Sequence, residues 1–227
     1  ALGAGEPPAG AGETCDARGK LVLPGVVDGQ IHAGSTKGID GLGDATVAAA
    51  AGGVTTVVDM PFDDPHPANT VQHLQAKVDV IEGQASVDVA LYASPAKGRG
   101  TEGIAEMAAF GACAFKVSLY EYHPVRFPGY DMGELEALFP AIAETGLSVA
   151  FHNEDQGIVD RGVARLKAAG RTGPESHAAS RPPAAETVAN AAVFELALGS
   201  AVRAHIVHST LARGFEQAAA YRALGAN

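Results

Sequence analysis

Four side chains able to do metal or proton chemistry stand at or near the ends of short apolar runs. They are His32 in "VVDGQIHAG", Lys116 in "AFKVS", His152 in "SVAFHNED" and His208 in "AHIVHST". Imidazole nitrogens suit zinc, iron, nickel and similar divalent ions. A lysine amine is normally protonated and cannot ligate. It becomes a ligand when neutral, or when carbon dioxide converts it to a carbamate, whose two oxygens resemble a carboxylate and can bridge two cations. Residues two apart on a strand share a face. Asp28, Gln30 and His32 therefore point one way, and so do Ala114, Lys116, Ser118 and Tyr120. A lysine between Phe115 and Val117 is costly to bury unless it is paired or bound. Each residue alone has a plainer reading: a solvated edge-strand lysine, a buried ion pair, or a hydrogen-bonded histidine at a strand end. The set of four on four strands is what points to a metal centre. By period two His205 lies opposite His208 and reads as structural. His66, His73, His123 and His177 fall in loops or helices and read the same way.

The elements that must position this set alternate strictly. Strand-like runs are "LVLPGVVDGQIH", then residues 53–60, 87–94, 112–120, 147–154 and 202–209. Each is short, apolar and β-branched. Helix-like stretches separate them, most closing on a glycine. Such alternation implies a parallel sheet covered by helices, either an open doubly wound sheet or a (β/α)8 TIM-type barrel. No dinucleotide-binding glycine fingerprint follows a strand, and ionisable residues collect at strand ends, so the barrel is the expectation. Six strands are counted, so the barrel is incomplete, ending before strand seven. Residues 1–22 read as the end of a small N-terminal β domain or a linker, and 23–227 as the barrel. The sequence opens without Met and stops just after a helix, and both ends look cut from something longer.

Bulk properties exclude several classes. The 227 residues carry a formal net charge of −10, a poor match to nucleic acid or an anionic membrane surface. The longest weakly polar run, Ala45 to Val58, is too short to span a bilayer. Two distant cysteines, Cys15 and Cys113, argue against a disulfide scaffold and are compatible with a cytoplasmic protein.

Five segments, in unbroken order, resemble the cyclic amidohydrolases: dihydropyrimidinase or hydantoinase, allantoinase and dihydroorotase. "LVLPGVVDGQIH" is similar to their entry segment, in which Pro-Gly and Asp precede His-x-His. "AAGGVTTVVDMPF" looks like their second strand, "GACAFKVS" like the strand of their carboxylated lysine, and "VAFHNED" and "HIVHST" like the strands of two further histidines. "SRPPAAE" (180–186) resembles a stretch of the hydantoinase and allantoinase branch. The resemblance implies one or two divalent ions, zinc foremost. His32 would hold the more exposed ion, a carbamate on Lys116 would bridge, and His152 and His208 would hold the more buried ion. It implies a hydrolase that opens a cyclic amide, imide or ureide ring by attack of a metal-activated hydroxide. A general-base aspartate is expected beyond the last residue of this sequence, and a homo-oligomer is implied.

The departures matter as much. Gln30 stands where the first histidine of His-x-His is expected and can ligate only weakly, through its carbonyl oxygen. Gly34 stands where dihydroorotases usually carry an arginine for the substrate carboxylate, which argues against dihydroorotate. The hydantoinase branch places an oxyanion-stabilising tyrosine five residues past the lysine. Here Glu121 holds that position, leaving Tyr120 and Tyr122 as the substrate-binding candidates. Asp28 and Asp59 could orient a histidine or cap a loop. Gln30 alone favours the rival reading, an oligomeric scaffold that has lost metal ligands. A deaminase reading is disfavoured by Lys116.

Overall fold

The computed structural model describes residues 9–10, 12 and 15–227. About half of the segment 1–22, expected to be a linker or the end of a β domain, lies outside the described residues. Residues 15–25 form neither strand nor helix, so the first strand begins later than the apolar run from Leu21 suggests. The six strands are β1 Val26–Ile31, β2 Val54–Asp59, β3 Asp88–Ala93, β4 Ala114–Ser118, β5 Ser148–His152 and β6 Arg203–Ile206. They pair in sequence order, all parallel. The helices are α1 Gly34–Lys37, α2 Gly41–Ala51, α3 Val71–Gln84, α4 Ile104–Phe110, α5 Met132–Glu144, α6 Gln156–Ala168, α7 Glu175–Ala179, α8 Pro183–Ser200 and α9 Ala212–Leu224. The short helices α1 and α7 carry no periodic apolar pattern and escape sequence reading. The order is that of a partial (β/α)8-type barrel.

Local chemistry sets several boundaries. Asp131 and Glu134 form a reciprocal capping box that starts α5. Asp155 accepts from the Ile158 amide and starts α6 directly after the β5 site segment. The Pro182-Pro183 pair opens α8, where a missing amide costs nothing.

Two apolar layers hold the sheet. The outer one packs helices on strands, with Phe115, Val117, Val149 and Phe151 of β4 and β5 meeting Leu135, Phe139 and Ile142 of α5 and Val193 of α8. The inner one lies inside the curl: Met60, Tyr92, Ala114, Ala150 and Val207. Above that inner layer, toward the strands' C-terminal ends, lies the polar site.

Candidate active site

A single cavity of about 900 Å³ opens at those C-terminal ends, and its lining includes Gln30, His32, Lys116, Tyr120, His152 and His208. All four residues expected to do the chemistry thus border one space. Their strand positions differ from expectation. Lys116 sits in the middle of β4, not at its end, and His32 and His208 lie just past β1 and β6. His152 is the last residue of β5.

His205 corrects a reading based on period two. Lys116 pairs in register with Ala150, and Ala150 with His205, so His205 shares the inner face. Val207, two residues on, belongs to the inner apolar layer. His208 reaches the same space only because its backbone turns, at φ +41°. A left-handed conformation in a non-glycine residue breaks strand alternation, and no residue type in "HIVHST" announces it.

The two histidines face each other. His152 Nδ1 lies 3.0 Å from His208 Nε2. His152 Nε2 lies 3.0 Å from Glu154 Oε2. The hydrogen bond from His152, with Arg181 assisting, holds the Glu154 carboxyl below its ordinary range despite partial burial. An ionised Glu154 only accepts, so Nε2 carries the proton of this hydrogen bond. Burial, with His152 and Lys116 nearby, lowers His208 to a pKa of about 4, which keeps its imidazole neutral at pH 7. His32 is also pushed down, first by burial and then by Lys116. Its ring stacks near Phe62, with centroids 6.4 Å apart.

Lys116 is 1% exposed, and among the described residues its Nζ has no hydrogen-bond partner. Burial alone lowers its pKa to about 7, so a large share of the amine is neutral at neutral pH. A buried, unpaired amine bordering a polar cavity is an anomaly that a bound group would resolve. Among the described residues no three His, Cys, Asp or Glu side chains group closely enough to hold an ion.

The two aspartates considered as histidine orienters do something else. Asp28 accepts from the Gln30 amide at 3.1 Å. Asp59 accepts from the Ala33 amide at 2.9 Å and lies 2.5 Å from Lys77 Nζ. Lys77, wholly buried on α3, also reaches Asp63 Oδ2 at 2.8 Å. This triad fixes the chain just after His32. It had no sequence signal, because Lys77 reads as an ordinary lysine of α3 and its partners come from the β2 end.

Gly34 is explained by the same triad. A Cβ there would meet Asp63 Oδ1 at 1.9 Å. The space into which a side chain at 34 would project is filled by a carboxylate, so no arginine fits.

Tyr120 and Tyr122 lie in the segment after β4, and both line the cavity. Tyr120 stands 6.5 Å from His152, centroid to centroid, with the Arg181 guanidinium 5.5 Å from its ring. Tyr122 is exposed. His123 and His177 also line the cavity, although both read as structural in the sequence.

Six parallel strands in sequential order, with ionisable residues at their C-terminal mouth, place the chain in the class of (β/α)8-type barrels. The L-hydantoinase (dihydropyrimidinase) from Arthrobacter aurescens superposes with a TM-score of 0.86 at 28% identity, covering 95% of this chain and 48% of that one. Residues 19–165 match the dihydro-orotase-like family model, and the chain belongs to that family of cyclic amidohydrolases. An allantoinase of Rubrobacter xylanophilus is 34% identical over 219 residues, 95% of this chain and 48% of the relative. An L-hydantoinase of Paenarthrobacter aurescens is 31% identical over 209 residues, 91% and 45%. The chain spans about half the length of the curated relatives it matches.

Proposed function

We propose that this chain forms the metal-binding part of a hydrolase that opens cyclic amide, imide or ureide rings. The observation that carries the reading is Lys116, a buried amine without a partner, bordering the cavity shared by His32, His152 and His208. The residues fit a divalent metal, with zinc the first candidate. His152 Nδ1 and His208 Nε2 converge to 3.0 Å, burial keeps the His208 ring neutral, and Lys116 as a carbamate would add oxygen ligands without a buried positive charge. A metal bound here would supply Lewis acidity toward the ring carbonyl and lower the pKa of water.

The chain's own residues bind and orient. Burial keeps a large share of Lys116 deprotonated and open to reaction with carbon dioxide. Tyr120 borders the cavity beside Arg181, where its hydroxyl can meet a polar substrate atom. Phe62 and Phe127, with centroids 4.0 Å apart, form an apolar wall that limits water. Gln30 borders the cavity but offers only a carbonyl oxygen, which favours one firmly held ion over two. With Asp63 filling the side-chain space at Gly34, no cation stands there to receive a substrate carboxylate, which favours neutral rings such as hydantoins or allantoin over dihydroorotate. The test is hydrolysis by the zinc-loaded full-length protein. Turnover of hydantoin or allantoin, with dihydroorotate far slower, is the expected result. No turnover of any of the three overturns the reading.

A further inference from the structure

The segment Ser180-Arg181-Pro182-Pro183 leads into α8, which carries Glu186 and Asn190 on its first turns. Its polar residues reach the ends of both histidine-bearing strands. Arg181 Nε forms an ion pair with Glu154 Oε1 at 3.0 Å, and Glu154 Oε2 in turn accepts from His152 Nε2 at 3.0 Å. Glu186 works on the other strand: Oε1 accepts from Ser209 Oγ at 2.7 Å and Oε2 from Thr210 Oγ1 at 2.7 Å. The Thr210 amide also points at this carboxylate, 3.2 and 3.3 Å from its two oxygens. Asn190 Oδ1 accepts from Asn153 Nδ2 at 2.6 Å, and the Asp155 amide donates to the Ala185 carbonyl at 2.9 Å. Gly214 of α9 leaves the necessary room, because a Cβ there would stand 2.6 Å from Ser209 Oγ and 3.3 Å from Glu186 Oε1.

These contacts bear on orientation. A carboxylate on one imidazole nitrogen fixes the tautomer and leaves the other nitrogen's lone pair to the ligand. A left-handed non-glycine residue such as His208, at φ +41°, persists only where its surroundings over-determine it. Glu186 ties down the two residues that follow His208.

We infer that the 180–186 segment is a positioning clamp for the site: Arg181, through Glu154, sets the ring of His152, and Glu186 sets the turn that aims His208. This rests on the metal-site reading of the same cavity. None of the three need touch substrate. They are positioning residues.

The test measures zinc affinity of the full-length protein by chelator competition, for the parent and for Glu154→Gln and Glu186→Gln. Each variant is expected to bind zinc about 10- to 100-fold more weakly. Thermal unfolding of the metal-free forms should be nearly unchanged. Ser209→Ala/Thr210→Val removes the same contacts from the other side and should reproduce the Glu186→Gln loss. Long-range proton–nitrogen spectra of the metal-free protein add a readout that mere packing would not move. The parent should hold His152 as the Nε2–H tautomer, and Glu154→Gln should lose that preference. If the parent binds zinc and both variants bind it equally well, the clamp is overturned while the metal site stands. If the parent binds none, the metal-site reading falls. The clamp then falls with it if the His152 tautomer is also indifferent to Glu154→Gln.

Discussion

Replacing Lys77 by methionine tests how the turn after His32 is held. Lys77 Nζ lies 2.5 Å from Asp59 Oδ2 and 2.8 Å from Asp63 Oδ2, and the three side chains are 0%, 0% and 2% exposed. Methionine keeps the bulk and removes the charge, so two carboxylates are left buried without a cation. Breaking a buried pair by removing one partner costs about 3–5 kcal/mol. That is a large part of the about 5–15 kcal/mol that holds a typical domain. Protonation relieves the loss, because a neutral carboxyl needs no counter-charge. Urea unfolding of parent and Lys77→Met at pH 8 and pH 5 is the assay, and the midpoint should fall more at pH 8 with the slope unchanged. Adding Asp59→Asn and Asp63→Asn to Lys77→Met should recover most of the loss, since a wholly neutral cluster carries no orphan charge. A loss below about 1 kcal/mol at pH 8, the level of an exposed pair, refutes the reasoning. So does a larger loss at pH 5.

Asp63 is raised from 3.8 to about 6, mainly by burial and against the pull of Lys77. Its ionised form is thus disfavoured in the fold, and its proton is held by the folded chain where the unfolded chain has lost it. Stability should fall by up to about 3 kcal/mol as pH rises from about 4 to 6, and Asp63→Asn should flatten that stretch of the unfolding profile. Gln30→His places an imidazole beside His32. Zinc bound per chain, measured by elemental analysis, should rise toward two, and an unchanged value would show that Gln30 does not hold the site to one ion. Lys116→Met should stabilise the metal-free protein at pH 6, because the buried amine costs stability progressively as pH falls from about 10.5 to about 7 and in full below that, while abolishing zinc retention. Urea midpoints at pH 6 check the first half and dialysis against zinc the second.

Much of the barrel was legible because a period of two and glycine-closed helices are local signals. All six strands lie inside the runs read as strands, yet each is shorter. "LVLPG" looks like strand but ends in Pro24-Gly25, and its Leu21, Val22 and Leu23 are exposed. His32, Lys116, His152 and His208 were legible as a set, since each interrupts an apolar run. The failures come from contacts between elements distant in sequence. Lys77 follows Leu74 by three residues on α3 and looks like an ordinary helix lysine, but its partners come from residues 59 and 63. Strand alternation carried back from His208 places His205 on the wrong face, because the backbone turns at His208. "SRPPAAE" was visible as a motif, but nothing in the string says that Arg181 and Glu186 reach Glu154, Ser209 and Thr210.

The central claim is that Lys116 and the three histidines hold a divalent metal. The most direct measurement is zinc content, together with the carbamate carbon signal of protein prepared with ¹³C-bicarbonate, on full-length protein from metal-replete medium. The account predicts at least one zinc per chain and a carbamate that disappears in Lys116→Met. A chain with no divalent metal and an unmodified Lys116 would contradict it.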